Sequence, residues 1–233
     1  MSDRVPVLST RNLSRWFKLD YQKITAVDDV SFDVRAGTIV ALVGQSGSGK
    51  STLLSLLGGL DRPSAGQVLL QGRLFGDPVL VPENRRAEFR QRHIGFVFQA
   101  YNLVSTLNAL ENVMFPLRLA RLPLAVCREK AMAILGEMGV ADRAKHLPSQ
   151  LSGGEQQRVA IARAIVHEPS IILADEPTGS VDSRNGDIIM DLITRLCRER
   201  GKTVVLATHD PRLAEAADVM MCLKDGRLSG VDS

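Results

Sequence analysis

The sequence predicts an α/β fold built on a parallel sheet. Three observations carry this expectation: strand-like and helix-like segments alternate along the chain, three strand-like runs are continuously apolar, and helical periodicity fills intervals between them. A strand that is apolar at every position is covered on both faces, which crossover helices achieve and a half-solvated antiparallel sheet does not. The 233 residues are 45% hydrophobic and 24% charged, ordinary values for a globular chain, so disordered, collagenous and coiled-coil classes are excluded. A chain of this size buries about 72% of its unfolded surface, enough for a core without staples.

Taken in order, Met1 to Pro6 lacks the apolar stretch and small-residue cleavage site of a signal peptide, so a cytosolic address is expected. Val5 to Arg35 alternates loosely and is expected to give smaller antiparallel pieces beside the core. Thr38 to Val43 is the first apolar run, followed by a Gly-rich stretch and a helical run from Thr52 to Leu60. From about Glu83 to Met138 the pattern turns helical, with apolar spacing over Ala87 to Arg92 and Leu124 to Met138, and with Pro116, Pro123 and Pro148 as expected breakers. The run Arg85, Arg86, Glu88, Arg90, Arg92 and His93 reads as a solvated helix face. A helix follows from Gln156 to Val166, then strands at Ser170 to Ala174 and Thr203 to Ala207. Asp225-Gly226 is a hairpin turn between Met220 to Leu223 and Arg227-Leu228.

No internal repeat or Gly/Ser linker divides the chain, so one compact unit is expected. No apolar run approaches the roughly 18 residues that cross a bilayer. The net charge of +3 and a pI of 8.9 fall short of a dedicated nucleic-acid binder, so no nucleic-acid partner is expected. The three cysteines, Cys127, Cys197 and Cys222, are far apart and unpaired in spacing, which suits reduced thiols packed as small apolar residues.

Gly44-Gln45-Ser46-Gly47-Ser48-Gly49-Lys50-Ser51 matches the phosphate-loop pattern G-x-x-x-x-G-K-S/T, placed after an apolar strand and before a helical run. Glycines let the chain curl so that successive N–H groups face phosphate oxygens; Lys50 adds charge near the β and γ phosphates, and the Ser51 hydroxyl suits magnesium. A phosphate loop alone fits a kinase, a GTPase or an ATPase. The strand Ile171 to Ala174 runs into Asp175-Glu176, two carboxylates at the carboxyl edge of a sheet, where ligands of open α/β sheets bind. Consecutive strand residues face opposite ways, so the two acids are assigned different work: Asp175 as a magnesium ligand, Glu176 as the base that activates water. Leu151-Ser152-Gly153-Gly154-Glu155 opens a helix, with Ser152 and Glu155 at capping-box spacing. Two adjacent glycines cost a helix about 1 kcal/mol each, which an approaching phosphate would require and a plain cap would not.

Gly44 to Thr52, Gln99, Leu151 to Glu155, Ile171 to Glu176 and His209 together resemble the nucleotide-binding subunit of an ATP-binding cassette (ABC) transporter. The likeness runs from about Val5 to Leu228. His93 to Gln99 and Leu110-Glu111-Asn112-Val113 resemble the subgroup serving macrolide export and lipoprotein release. The resemblance implies a P-loop NTPase (RecA-like) parallel-sheet core with a small antiparallel β subdomain, spanning about 1–98 and 156–233, and an inserted helical subdomain at about 99–155. It implies ATP and Mg2+ as ligands, with Gln99 contacting the metal and the attacking water and sensing the γ phosphate. It also implies that Thr178 to Asp182 crosses a dimer interface, that Asp182 takes part there, and that His209 holds the γ phosphate. Ser152, Gly153 and Gly154 of one subunit would meet the nucleotide held on Gly44 to Thr52 of another. The adenine-stacking aromatic falls at Phe17 by register, beside Trp16 and ahead of Tyr21. His93, His146 and His167 match no motif and are read as surface or packing residues.

The partners so implied are a second, identical cassette and separate transmembrane permease subunits, at the inner face of the cell membrane. A regulatory ATPase pulling on a membrane partner without moving a solute is the alternative within the fold. A guanine-reading N-K-x-D motif is absent from the sequence, which disfavours a GTPase, and a kinase has no use for Leu151 to Glu155. Two departures from the family pattern, Glu155 for the commoner Gln and Val181 for Leu, remove no catalytic group.

Overall fold

The computed structural model describes residues 5–232, so Met1 to Arg4 of the stretch read for a targeting signal lie outside it. Along the chain run β1 (Leu8–Leu19), β2 (Gln22–Val34), β3 (Ile39–Val43), α1 (Lys50–Leu57), β4 (Ala65–Leu70), β5 (Arg73–Gly76), α2 (Glu83–His93), β6 (Ile94–Val97), α3 (Ala109–Leu119) and α4 (Leu124–Glu137). Short 3-10 turns at Ala141–Arg143 and Pro148–Gln150 lead to α5 (Gly153–Ile165), β7 (Ile171–Asp175), α6 (Ser183–Arg198), β8 (Thr203–Ala207), α7 (Pro211–Glu215), β9 (Val219–Lys224) and β10 (Arg227–Asp232).

Two sheets form. A six-stranded sheet has the order β10-β9-β3-β8-β7-β6, parallel from β9 to β6, with β10 returning antiparallel through the Asp225-Gly226 turn. Both turn residues have positive φ, 51° and 77°, as a two-residue hairpin turn requires. The other sheet, β2-β1-β4-β5, is antiparallel throughout. Strand alternation divides the core. In β3, Ile39 and Ala41 face one way with Val204, Leu206, Ile172 and Ala174, and pack with apolar residues of α3, α4, α5 and α6. Val40 and Leu42 face the other way, with Leu53, Leu54, Leu56 and Leu57 of α1 and the inner face of the antiparallel sheet. The continuous apolar runs are therefore buried on both faces, each large side chain contributing roughly 1.5–3 kcal/mol.

Three local readings change. The stretch from Glu83 to Met138 is interrupted by β6, whose four residues are too few to show a period; Gly95 within it lets the Ala164 carbonyl approach, since a Cβ there would lie 2.2 Å from that oxygen. Pro116 does not break a helix but sits inside α3. Its missing N–H costs the Asn112 carbonyl a helical partner, yet burial of Val113, Met114 and Leu117 holds the helix on course to Leu119. The charged face of α2 is only partly solvated. Arg86 is buried and pairs with Glu83, and Arg90 donates to Gly59 O at 2.5 Å while also pairing with Glu83, leaving Arg92 and Glu88 as an exposed pair. Cys127 and Cys197 are buried thiols and Cys222 is half-buried.

Candidate active site

β3 ends at Val43 and the chain curls through the phosphate loop into α1. Gly44 (φ +155°) and Gly49 (φ +104°) make the curl, and neither position admits a side chain: a Cβ would lie 2.2 Å from Leu223 O at Gly44 and 2.1 Å from Ala26 O at Gly49. Gly44 to Ser48 and the β9–β10 hairpin enclose a cavity of about 360 Å³. The hairpin braces the loop, with Gly226 N donating to Ser48 O at 3.0 Å. Lys50 is buried and donates to Gly44 O (2.8 Å) and Gln45 O (3.0 Å), which leaves the third ammonium proton for a ligand. Gln45, Ser46 and Gly47 are exposed, the buried Ser48 hydroxyl has no partner, and Thr52 is half-buried on α1. α1 begins with no side-chain cap and no acid in its first turn, so its partially positive end is open to an anion.

The strand order brings the other groups to the same edge. β8 lies between β3 and β7, so the segments leaving all three strands adjoin one another. Ser51 Oγ donates to Asp175 Oδ1 at 3.0 Å. Burial pushes the Asp175 carboxyl above its ordinary pKa and the Glu176 charge adds to this, against the Ser51 hydrogen bond and the Lys50 charge. A hydroxyl beside a carboxylate short of compensating charge is the hard-oxygen donor set that suits Mg2+. Among the described residues there is no group of three or more His, Cys, Asp or Glu that could hold a metal ion.

Asp175 and Glu176 do diverge, but strand alternation is not the reason. β7 stops at Asp175, and Glu176 turns into the left-handed region at φ +45° while its N–H still bonds Ala207 O at 2.9 Å. The turn carries the Glu176 carboxylate to His209, whose Nδ1 lies 3.2 Å from Oε2 on an exposed ring. Gln99 is exposed and reaches the same place: a Cβ at Gly179 would lie 3.1 Å from Glu176 Oε2 and 3.4 Å from Gln99 Nε2.

α5 starts at Gly153, three residues earlier than its apolar pattern suggests, behind a complete capping box. Glu155 N donates to Ser152 Oγ (3.3 Å), while Ser152 N and Oγ donate to Glu155 Oε2 (2.8 and 2.9 Å). The Arg143 guanidinium, 2.8 Å from Glu155 Oε1, and the Ser152 N–H hold the Glu155 carboxyl down at about 2. The paired glycines have a reason inside the chain. A Cβ at Gly154 would lie 2.2 Å from Asn185 Oδ1, and one at Gly153 would lie 2.8 Å from the Tyr101 hydroxyl. Asp182 caps α6, accepting from Asn185 N (2.9 Å) and Asn185 Nδ2 (2.8 Å), and Arg158 of α5 donates to Asn185 Oδ1 at 2.9 Å.

Phe17 is partly exposed on β1, opposite Ile24 and close along β2 to the Ala26 carbonyl that packs on Gly49; the Arg15 guanidinium lies 4.5 Å from its ring centre. Trp16 is faced by Lys23 at 4.0 Å, and Tyr21 is fully exposed. His167 bonds Ile94 O at 3.1 Å, a packing role. Sequence reasoning missed Tyr101, Arg143, Arg158 and Asn185. Only Asn185 left a signal, three residues after Asp182 at the spacing of a helix cap.

Residues 27–179 match the ABC transporter family. The chain is 44% identical over 221 residues to the lipoprotein-releasing system ATP-binding protein LolD of Paramagnetospirillum magneticum, covering 95% of this chain and 96% of that one. It is 42% identical over 223 residues to the macrolide export ATP-binding/permease protein MacB of Hyphomonas neptunium, covering 96% of this chain but 34% of that larger protein. Its fold superposes on the ATP-binding cassette MJ0796, solved as a dimer bound to ADP and Pi in a post-hydrolysis state, with a TM-score of 0.90, 39% identity, and coverage of 97% and 98%. The chain belongs to the ABC transporter family, as an ATP-hydrolysing subunit.

Proposed function

We propose that two copies of this chain close head to tail around two ATP molecules and drive separate permease subunits at the inner face of the cell membrane, in a lipoprotein-release or export system. One observation supports this best. Lys50, Ser51 with Asp175, and Glu176 with His209 gather at one sheet edge, while the capped start of α5 stands against Tyr101, Ser180 and Asn185 of its own chain. A helix start so placed serves the phosphate loop of a second copy.

In this reading Gly44 to Thr52 wrap the phosphates, and Phe17 stacks on the adenine. Ser51, Asp175 and Gln99 would hold Mg2+, which when bound would offset phosphate charge. Glu176 takes the proton of the attacking water. His209, whose Nδ1 lies 3.2 Å from Glu176 Oε2, stands beside the base and holds the γ phosphate. Ser152, Gly153 and Gly154 of the second copy complete the donors around that phosphate, and Asp182 lies at the shared interface. One helix terminus supplies only about 0.3–1 kcal/mol toward an exposed anion, so it assists a site built elsewhere. Hydrolysis breaks the bond between the β and γ phosphates, and departure of the phosphate then removes the bridging charge and releases the pair.

Among the described residues no helix is long and apolar enough to cross a membrane. An apolar groove of about 720 Å³ beside the Gln99 segment, lined by Phe96, Phe98, Phe115, Pro116 and Leu119, is the proposed seat of the permease. The test is Glu176→Gln. It keeps ATP binding, loses turnover by on the order of 10²–10⁴-fold, and traps an ATP-dependent dimer visible by size exclusion. A strictly monomeric preparation hydrolysing ATP at full rate would overturn the proposal. Co-purification of the permease in detergent, followed by an ATP-driven transport assay, tests the partner.

A further inference from the structure

We propose that Tyr101 is a positioning residue for hydrolysis: its hydroxyl ties the segment after Gln99 to the loop after Glu176. The inference rests on the roles proposed for Gln99 and Glu176. Tyr101 and Asn102 both occupy the left-handed region, at φ +60° and +50°, a disfavoured conformation for two successive residues that are not glycine. The surroundings hold them there. Arg163, from the last turn of α5, donates to Tyr101 O (2.8 Å) and Asn102 O (2.5 Å), and Tyr101 N bonds back to Phe98 O at 3.2 Å.

This turn aims the ring across at the neighbouring loop. The Tyr101 hydroxyl donates to Ser180 O at 2.9 Å, next in sequence to Gly179, where the Gln99 amide and the Glu176 carboxylate approach each other. The same hydroxyl lies against the first residue of α5, 2.8 Å from where a Gly153 Cβ would stand. Within the loop Gly179 N bonds Glu176 O at 3.0 Å and Val181 N bonds Thr178 O at a long 3.3 Å, while from α5 the buried Gln157 amide donates to Pro177 O at 2.7 Å. One phenol oxygen thus sits where the segment after Gln99, the loop after Glu176 and the start of α5 meet. A shift of any one of these is passed to the other two through that contact. A phenylalanine would fill the same space without the bond.

The experiment is Tyr101→Phe in the full chain, with ATP hydrolysis followed against ATP concentration. The expected result is a kcat lower by roughly three- to ten-fold, the worth of one neutral hydrogen bond, with KM unchanged and the thermal midpoint lowered by no more than a few degrees. Because Tyr101 acts through Gln99, adding Tyr101→Phe to Gln99→Ala should cost little more than Gln99→Ala alone. Wild-type kcat in Tyr101→Phe, a fall matched by a rise in KM, or full additivity with Gln99→Ala would overturn the inference. Glu176→Gln, run alongside, separates the two levels. If it stalls while Tyr101→Phe stays at wild-type rate, only the Tyr101 inference fails; if it turns over normally, the reading beneath both fails.

Discussion

The starts of α1 and α5 are both glycine-rich helix N-termini, yet they are built in opposite senses. α1 begins at Gly49 with no capping side chain and no acid in its first turn, above a loop braced by the β9–β10 hairpin. α5 begins behind Ser152 with its orphan N–H groups partly satisfied and a charged Glu155 in its first turn, itself countered by Arg143. An open N-terminus backed by a lysine is a sufficient anion cradle. A capped one with a carboxylate beside it offers only its leading edge. Shared composition therefore says little about affinity; what occupies the first turn decides it.

The largest effect that would break this contrast is at α1. Lys50→Ala should lower ATP turnover by at least about 100-fold, because it removes the buried ammonium that braces the loop, and nucleotide binding by equilibrium fluorescence should fall with it. If binding survives intact, α1 is not the principal cradle. At α5 the decisive change is Gly154→Ala. Its Cβ would meet Asn185 Oδ1 at 2.2 Å and displace both the bond that Asn185 donates to Asp182 and the one it accepts from Arg158. Hydrolysis should drop roughly ten- to hundred-fold with ATP binding retained. Adding Asn185→Ala separates two causes: recovery means the glycine serves packing within the chain, and no recovery means it serves an approaching phosphate.

The smallest effect is electrostatic and sharpens the account of the cap. Glu155 is ordinarily near 4.5 and is held at about 2 in the fold, first by Arg143. A carboxyl with a lowered folded pKa stabilises the protein fully above its unfolded value and ceases to do so as pH falls toward the folded one. Between pH 5 and 2 the wild type should lose this contribution. Arg143→Ala should be slightly less stable at neutral pH and should lose less across that window, as measured by thermal midpoints at several pH values. An identical pH profile would show that Arg143 does not hold the cap.

Much of the nucleotide-facing edge was legible because its signals are local. The phosphate loop needs glycines at fixed offsets, and the S-x-x-E cap sits within four residues, so both can be read without knowing the fold. The reasons attached to them were less secure. The glycine pair at 153–154 was assigned to an incoming phosphate, but Asn185 and Tyr101, distant in sequence, already demand the space. Strand alternation accounts for the split between Asp175 and Glu176 in the sequence reading, whereas in the fold the split comes from a left-handed residue just past the end of β7. The α2 charge run looked solvated because helical periodicity cannot reveal that Gly59 and Asp61 offer carbonyls to Arg90 and Arg86.

By itself the sequence determined the continuously apolar strands β3, β7 and β8, the phosphate loop, the capped helix and the chemical types of the groups at the site. These depend on backbone sterics and on contacts a few residues apart, which residue identity and spacing encode directly. Tertiary structure alone decided that β8 separates β3 from β7, that the Asp225-Gly226 hairpin braces the loop, and that Tyr101 reaches Ser180. Those outcomes follow from which distant surfaces bury one another, and burial is a property of the packed whole rather than of any window along the chain.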